Sequence, residues 1–226
     1  MNIIEGINID VSKITFRDPK YVVGSFGECR NVNLIYDGTN AFFQTPWMSM
    51  PWDMDVYTRG LHPKYSVNLS FNDIENNPEL KVFHDKIIEV EEKIIDEGIE
   101  NSICWLKKKK CSRDFVDKLF SRILKKDNIV FNTVDGKRHN VIISESTMNF
   151  KIYRNMKCYT NSDDWRIKVS DKNGKLYNIH YPENSDDLEE LFKKKTRMRA
   201  IIKCEGLFLR SGLFVCNWMI KSAEID

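Results

Sequence analysis

"RAIIKCEGLFLRSGLFVCNWMIKSAEI", residues 199–225, consists of two strand-forming runs divided by Arg210, Ser211 and Gly212. A glycine-bearing turn between two such runs predicts a long hairpin, Arg199 to Leu209 against Leu213 to Ile225. Upstream segments share its period of two. "MNFKIYR" sets Met148, Phe150 and Ile152 on one face and Lys151 with Tyr153 on the other. "WRIKVSD" sets Trp165, Ile167 and Val169 against Arg166 and Lys168, and "KNGK" turns it back into "LYNIHY". In "KYSVNLSF", Tyr65, Val67, Leu69 and Phe71 alternate with Ser66, Asn68 and Ser70, which predicts one buried face and one wet face. Shorter strands are predicted at "KITF" (13–16), "NVNLIYD" (31–37) and "AFFQT" (41–45), the last two joined as a hairpin across Gly38, Thr39 and Asn40.

Between these strands the period changes. From Pro78 to Glu97 the apolar residues Leu80, Phe83, Ile87, Val90 and Ile94 recur at three- and four-residue steps. Asn77 is the cap, Pro78 the first turn and Gly98 the close, so an amphipathic helix with an acidic outer face is predicted. A second helix is predicted from Arg113 to Lys125, capped by Ser112, with Phe115, Val116, Leu119, Phe120 and Ile123 inward. A short helix around Asp186 to Lys194 precedes the final hairpin. No internal repeat or linker interrupts the chain. It reads as one domain, residues 1–226, a curved β-structure with a helical insertion at about 78–126.

Composition narrows the function classes. With 226 residues, 30% charged and 12% aromatic, the chain has the makings of a globular core. No apolar run approaches the roughly 18 residues needed to span a bilayer, and "MNIIEGINID" lacks the basic flank of a signal peptide. A soluble, intracellular protein without membrane partners is expected. The six cysteines, Cys29, Cys104, Cys111, Cys158, Cys204 and Cys216, contain no CxxC pair and read as reduced, mostly buried thiols. Neither a metal site nor a cofactor is expected. There is no GxxxxGK[ST], GxGxxG, HExxH or GxSxG motif. The histidines His62, His84, His139 and His180 have no ligand-spaced neighbours. The acid pairs Asp163-Asp164 and Asp186-Asp187 could hold a metal for phosphodiester hydrolysis, but each follows Asn-Ser and reads as a turn or helix start. A non-enzymatic protein is expected.

The net charge of +2 conceals local contrast. "EVEEKIIDEGIE" and "NSDDLEE" are acidic. "KKKK" (107–110), "RILKK" (122–126) and "KKKTRMR" (193–199) are basic. Single-stranded nucleic acid is bound by cations that follow the phosphates and aromatic faces on which bases stack. If the strands at 148–154 and 165–170 pair, their outward face carries Lys151, Tyr153, Arg166 and Lys168. "KKKTRMR" adds Lys193, Lys194, Lys195, Arg197 and Arg199 beside the hairpin.

Three segments in order, "QTPWMSMPWD" ahead of "KYSVNLSF", then "SICWLKKK", then "AIIKCEGLFLRSGLFVCNWMIKSAEI", resemble the single-stranded DNA-binding proteins of large nucleocytoplasmic DNA viruses, which are related to phage replication proteins with a single OB-fold. The likeness spans most of residues 13–225. Its most specific parts are the QTPxM element and the closing hairpin with Gly206, Gly212, Phe214 and Trp218. It implies a mainly β fold, an OB-fold-like β-barrel with a helical insertion and α+β overall. It further implies a non-catalytic protein that coats single-stranded DNA, with little sequence preference, during viral DNA replication, recombination and repair. Viral DNA polymerase or other replication proteins, and a homodimer, are the implied partners. The viral replication site, in host cytoplasm or nucleus, is the implied location. The phage relatives carry a strongly acidic C-terminal tail. Here "AEID" supplies only Glu224 and Asp226, so regulation by a tail is not expected.

In "QTPWMSMPWDM", Gln44 to Met54, Pro46 and Pro51 remove amide donors, so the chain is expected to leave the sheet there. Trp47, Met48, Met50, Trp52 and Met54 would then close one end of the barrel, a reading favoured over base stacking by Trp47 or Trp52. Two rival functions stay open. One is a viral structural or interaction module that binds through the acidic helix. The other is a metal-dependent nuclease that uses Asp163, Asp164, Asp186 or Asp187.

Overall fold

The computed structural model describes residues 2–24, 27–58, 64–125, 128–134, 137–143, 146–152, 167–177, 185–210 and 213–226; for 22–24, 27–28, 128–134, 137–143 and 185–187 it describes the backbone alone. The main sheet and its outer surface are built chiefly from the strands β1 (Phe42–Gln44), β2 (Met48–Ser49), β3 (Asp55–Tyr57), β4 (Lys64–Ser70), β5 (Phe120–Ser121), β6 (Leu124–Lys125), β7 (Thr147–Ile152), β8 (Lys168–Asp171), β9 (Arg197–Arg210) and β10 (Leu213–Ile225). The helices are α1 (Pro78–Glu100), α2 (Ser102–Leu106), α3 (Arg113–Leu119) and α4 (Ser185–Leu191).

The sheet closes on itself. β2 pairs with β4, β4 with β7, β7 with β10, β10 with β9, and β9 with β2 again. The result is a five-stave, OB-fold-like barrel, so the chain is mainly β with helices added. One stave is bent. β1 and β2 run antiparallel to β9 (Phe43↔Ile202, Met48↔Met198), and β2 and β3 run antiparallel to β4 (Ser49↔Ser70, Asp55↔Ser66). Residues 42–57 thus pass from one partner to the other. The two prolines mark the irregularities along this stave. Contrary to expectation, the chain does not leave the sheet at Pro46: Thr45 N donates to Ala200 O (2.8 Å) before it, and Met50 N donates to Thr196 O (2.9 Å) after it. Proline is tolerated because a strand that switches partners at a bulge has positions where no ladder amide is needed. Met48, Met50 and Met54 point into the core, as expected of a barrel end; Trp47 and Trp52 are only half-buried.

The C-terminal hairpin supplies two staves and a continuous inner face of the core. Met198, Ala200, Ile202, Leu207 and Leu209 of β9 and Phe214, Trp218, Ile220 and Ala223 of β10 all point inward. Register shifts between Ile201 and Ile202 and between Cys204 and Gly206 let these strands curve without exposing that face. Gly206 has φ +113 at the second shift. Beyond it, β9 pairs with the strand Gly27–Val32 through Leu207↔Val32.

Helix α1 is capped as predicted, with Asn77 Oδ1 accepting from Leu80 N (3.2 Å) and Pro78 in the first turn. It runs on to Glu100, so Gly98 does not close it. A Cβ on Gly98 would lie 2.9 Å from Val116 Cγ1, and this glycine lets α1 and α3 pack closely. The acidic face is not wholly outward either. Glu91 is buried, accepting from Leu124 N (2.8 Å) and Arg122 Nη1 (3.1 Å). Ser112 caps α3 as expected, but that helix stops at Leu119 rather than Lys125. Phe120 instead enters β5, stacking on Phe214 with ring centroids 5.0 Å apart.

That early stop shapes the barrel wall. β7 and β10 run parallel and, among the described residues, meet at one register pair, Lys151↔Met219. On the side toward the start of β7 they splay, and residues 120–125 enter the gap and border what remains of it: β5 lies along β10 (Phe120↔Phe214) and β6 along β7 (Leu124↔Met148).

Other expectations differ in detail. Residues 31–37 form two strands broken at Asn33, and the turn at Asp37 and Gly38 (φ 47 and 74) leads into Thr39–Asn40 paired with Leu34–Tyr36. On β4 the alternate face is not fully wet, since Asn68 and Ser70 are buried. "LYNIHY" begins with a single bridge, Ser170↔Leu176; residues 178–181 lie outside the described residues. Cys204 and Cys216 are buried, whereas Cys29 and Cys111 are half-buried and Cys104 is exposed; Cys158 is outside the described residues.

Candidate nucleic-acid interface

Side-chain alternation and register place the predicted cations. On β9 the even positions Met198, Ala200 and Ile202 face the core, which turns Arg197, Arg199, Ile201 and Lys203 outward. β10 lies beside it with Arg199↔Glu224, Ile201↔Ser222 and Lys203↔Met219 in register. β7 and β8 follow on the far edge of β10, with Lys151↔Met219, Lys168↔Ser222 and Ser170↔Glu224. Three rows therefore cross this outer surface: Lys151, Met219, Lys203; then Lys168, Ser222, Ile201; then Ser170, Glu224, Arg199.

Trp47 extends the third row. The guanidinium carbons of Arg199 and Arg197 lie 5.5 and 5.9 Å from its ring centroid. The irregular passage through Pro46 turns the indole outward onto the arginines while Met48 turns in. The sequence assigns this aromatic to the barrel end together with Met48, Met50, Trp52 and Met54 on their shared apolarity, and the structure separates it from the buried methionines. Lys203, also on this face, carries no sequence signal, since it lies outside any run of basic residues.

The arginines are held by acids across the strand pair. Arg199 Nη2 bonds Glu224 at 2.6 Å, and Arg197 lies 3.7 Å from Asp226, which Lys172 also bonds at 2.7 Å. Lys172, and then Arg197, hold the Asp226 carboxyl below its ordinary range. All of these side chains are partly or largely solvent-accessible, so the pairs are weakly held and can exchange for phosphate.

Lys193, Lys194 and Lys195 form an exposed rim after α4, beside residues 50–53. Lys194 N donates to Asp53 Oδ1 (2.7 Å) and Lys195 N to Met50 O (2.8 Å), whereas Lys193 Nζ is taken up by Glu190 (2.5 Å). Tyr153 and Arg166 lie outside the described residues. Of the other basic clusters, Arg122 is neutralised by Glu91, Glu92 and Asp117, and Lys108 lies over the Phe115 ring at 5.0 Å.

Lys151 differs from the rest. It is half-buried, its Nζ donates to the neutral Asn217 Oδ1 (2.6 Å), and it makes no ion pair among the described residues. Burial, and then the nearby charge of Lys64, depress its pKa. That penalty is present below the depressed value and is relieved as pH rises through it. Lys151→Met is therefore expected to stabilise the fold by about 1 kcal/mol, read from urea unfolding at pH 7, with the gain shrinking as pH climbs.

Among the described residues there is no cluster of three or more His, Cys, Asp or Glu side chains placed to hold a metal, and no helix is long and apolar enough to cross a membrane. Asp186 and Asp187 fall in the first turn of α4; Asp163 and Asp164 lie outside the described residues.

No protein-family model and no curated protein sequence matches the chain. Among solved structures it is similar to the single-stranded DNA-binding protein from bacteriophage Enc34 in complex with ssDNA, at 10% identity and a TM-score of 0.46, over 94% of this chain and 95% of that one. A C-terminal truncation of the same phage protein is similar at 10% identity and a TM-score of 0.45, over 93% and 94%.

Proposed function

We propose that this protein binds single-stranded DNA on the outer surface of β7, β8, β10 and β9, acting as a non-catalytic, single-domain coat. The observation that carries this reading is Trp47 beside Arg197 and Arg199, continuous with Lys168 across neighbouring strands. An indole gives any base a surface to stack on, worth ~1–3 kcal/mol per base, and the flanking cations take the adjoining phosphates. Lys193 to Arg199 would carry the strand along the rim. Tyr153 and Arg166 belong to the same proposed surface by their place in the sequence. The sequence resemblance extends the proposal to protection of exposed strands during viral DNA replication, recombination and repair, at the viral replication site in host cytoplasm or nucleus, with replication proteins or a second copy as partners.

Fluorescence anisotropy with labelled single-stranded and double-stranded oligonucleotides at two salt concentrations tests this. The single strand should bind preferentially, with affinity falling steeply as salt rises. Equal affinity for duplex would sink the proposal. Strand cleavage on incubation with magnesium or manganese would move the protein to the nuclease class.

A further inference from the structure

We propose that the groove where β7 and β10 splay apart reads one base of the bound strand and favours cytosine there. This rests on the single-strand-binding reading and departs from it in one respect, since such binding is not sequence-neutral. The groove, bordered by the two strands and by residues 121–125, has a volume of ≈ 190 Å³; Asn149 and Lys151 of β7 and Asn217 of β10 line it together with Ser121, Arg122 and Lys125, of which Arg122 is held by Glu91, Glu92 and Asp117 and Lys125 Nζ donates to Ser121 Oγ (3.0 Å). It opens on the same outer surface as Lys168 and Arg199, in the row that carries Lys151 and Met219.

Two charged side chains fix which way the amides point. Asp55 offers only acceptors, so Asn68 turns Nδ2 to its Oδ2 (3.0 Å) and presents Oδ1 to Asn149 Nδ2 (3.0 Å). Asn149 Oδ1 remains as an acceptor with no partner among the described residues. On the other wall Lys151 has only donors and takes Asn217 Oδ1, which leaves Asn217 Nδ2 as a donor without a described partner. An isolated amide flips at little cost, but these two are set by chains that end on an ion.

The β7 and β10 walls therefore offer one acceptor, from Asn149, and two adjoining donors, from Lys151 and Asn217. Cytosine presents the complement along its pairing edge: the N4 donor beside the N3 and O2 acceptors. Thymine alternates acceptor, donor, acceptor and in the same register opposes like to like at two of the three groups. Guanine places two donors together, and adenine has a single donor and a single acceptor. A matched pair of such bonds discriminates by roughly five- to a hundredfold.

The test is anisotropy of the full chain with oligo-dC and oligo-dT of equal length at pH 7.5. Wild type should bind dC at least about fivefold tighter than dT. Asn149→Ala should bring the two within about twofold, with the salt dependence unchanged. Asp55→Asn, which is nearly isosteric and far from the base, should also erode the preference, because Asn68 and Asn149 are then free to flip. Thermal unfolding checks that each variant is folded, and a purely structural role for Asp55 would change stability without changing the dC to dT ratio. Equal binding of dC and dT by wild type overturns the inference but leaves single-strand binding standing. So does a preference that survives in both variants. Failure to bind either strand overturns the functional reading itself.

Discussion

Replacing Trp47, Arg197 and Arg199 together by alanine is expected to weaken single-stranded DNA binding about a hundredfold or more while leaving the fold intact. This magnitude combines one stacked base at ~1–3 kcal/mol with two phosphate contacts. All three side chains are on the outer surface and none contributes to the core, so the unfolding midpoint should change little. The components are separable. Arg197→Ala with Arg199→Ala should reduce the slope of log affinity against log salt by about 1.4, at roughly 0.7 per phosphate contact on a single strand. Trp47→Ala alone should lower affinity with the slope unchanged. Glu224→Gln, which releases Arg199 from its 2.6 Å partner, should move affinity in the opposite direction. A triple variant that binds as tightly as wild type would remove this surface from consideration.

The second large effect is on folding. Gly206→Ala is expected to cost roughly 3 to 5 kcal/mol, or to prevent folding at 37 °C. Its φ of +113 is one that residues with a Cβ rarely adopt, and an added Cβ would lie 2.8 Å from Val32 O and closer still to Asn31 Oδ1. The Asn31 side chain can rotate aside, but Val32 O is backbone of the strand that pairs with β9 just beyond the bulge and cannot retreat without disturbing that pairing. Gly174→Ala is the control. Gly174 has φ +80 but nothing within 4 Å of a Cβ, so only the backbone strain of about 1 kcal/mol should appear. Urea midpoints for the two variants measure the difference. Similar values would mean that crowding at Gly206 is relieved by movement of Asn31 and its strand.

The sequence disclosed the hairpin and the face of β7 because each is a run of period two ending at a turn, and no tertiary knowledge is needed to see it. It disclosed α1 through Asn77, Pro78 and the apolar stripe. It did not disclose the end of α3, because Phe120, Ile123 and Leu124 are all buried and satisfy a helical spacing as well as two short strands. The bent stave was hidden for a related reason. Proline states which amide is missing and says nothing of whether the ladder resumes, as it does at Met48. The positive residues of the proposed interface were legible as charges; alternation pointed Lys151 and Lys168 outward, whereas the direction of Arg197 and Arg199 had to come from the register of β9. Trp47 was not legible, because its direction is set by a bulge. The oriented amides of Asn149 and Asn217 were invisible in the sequence, since they depend on Asp55 and Lys151 meeting them across strands.

Residues 120–125 carry an implication for how this chain can be dissected. The helical region hands its final six residues to the barrel as mortar between β7 and β10, with Glu91 of α1 anchoring the Leu124 amide from outside. Excising the whole region, helices included, would leave those staves, among the described residues, paired at Lys151 and Met219 alone and would uncover Trp218. A minimal barrel must keep this filler, and a shortened version that omits it should behave as an opened, sticky sheet rather than a smaller copy of the parent.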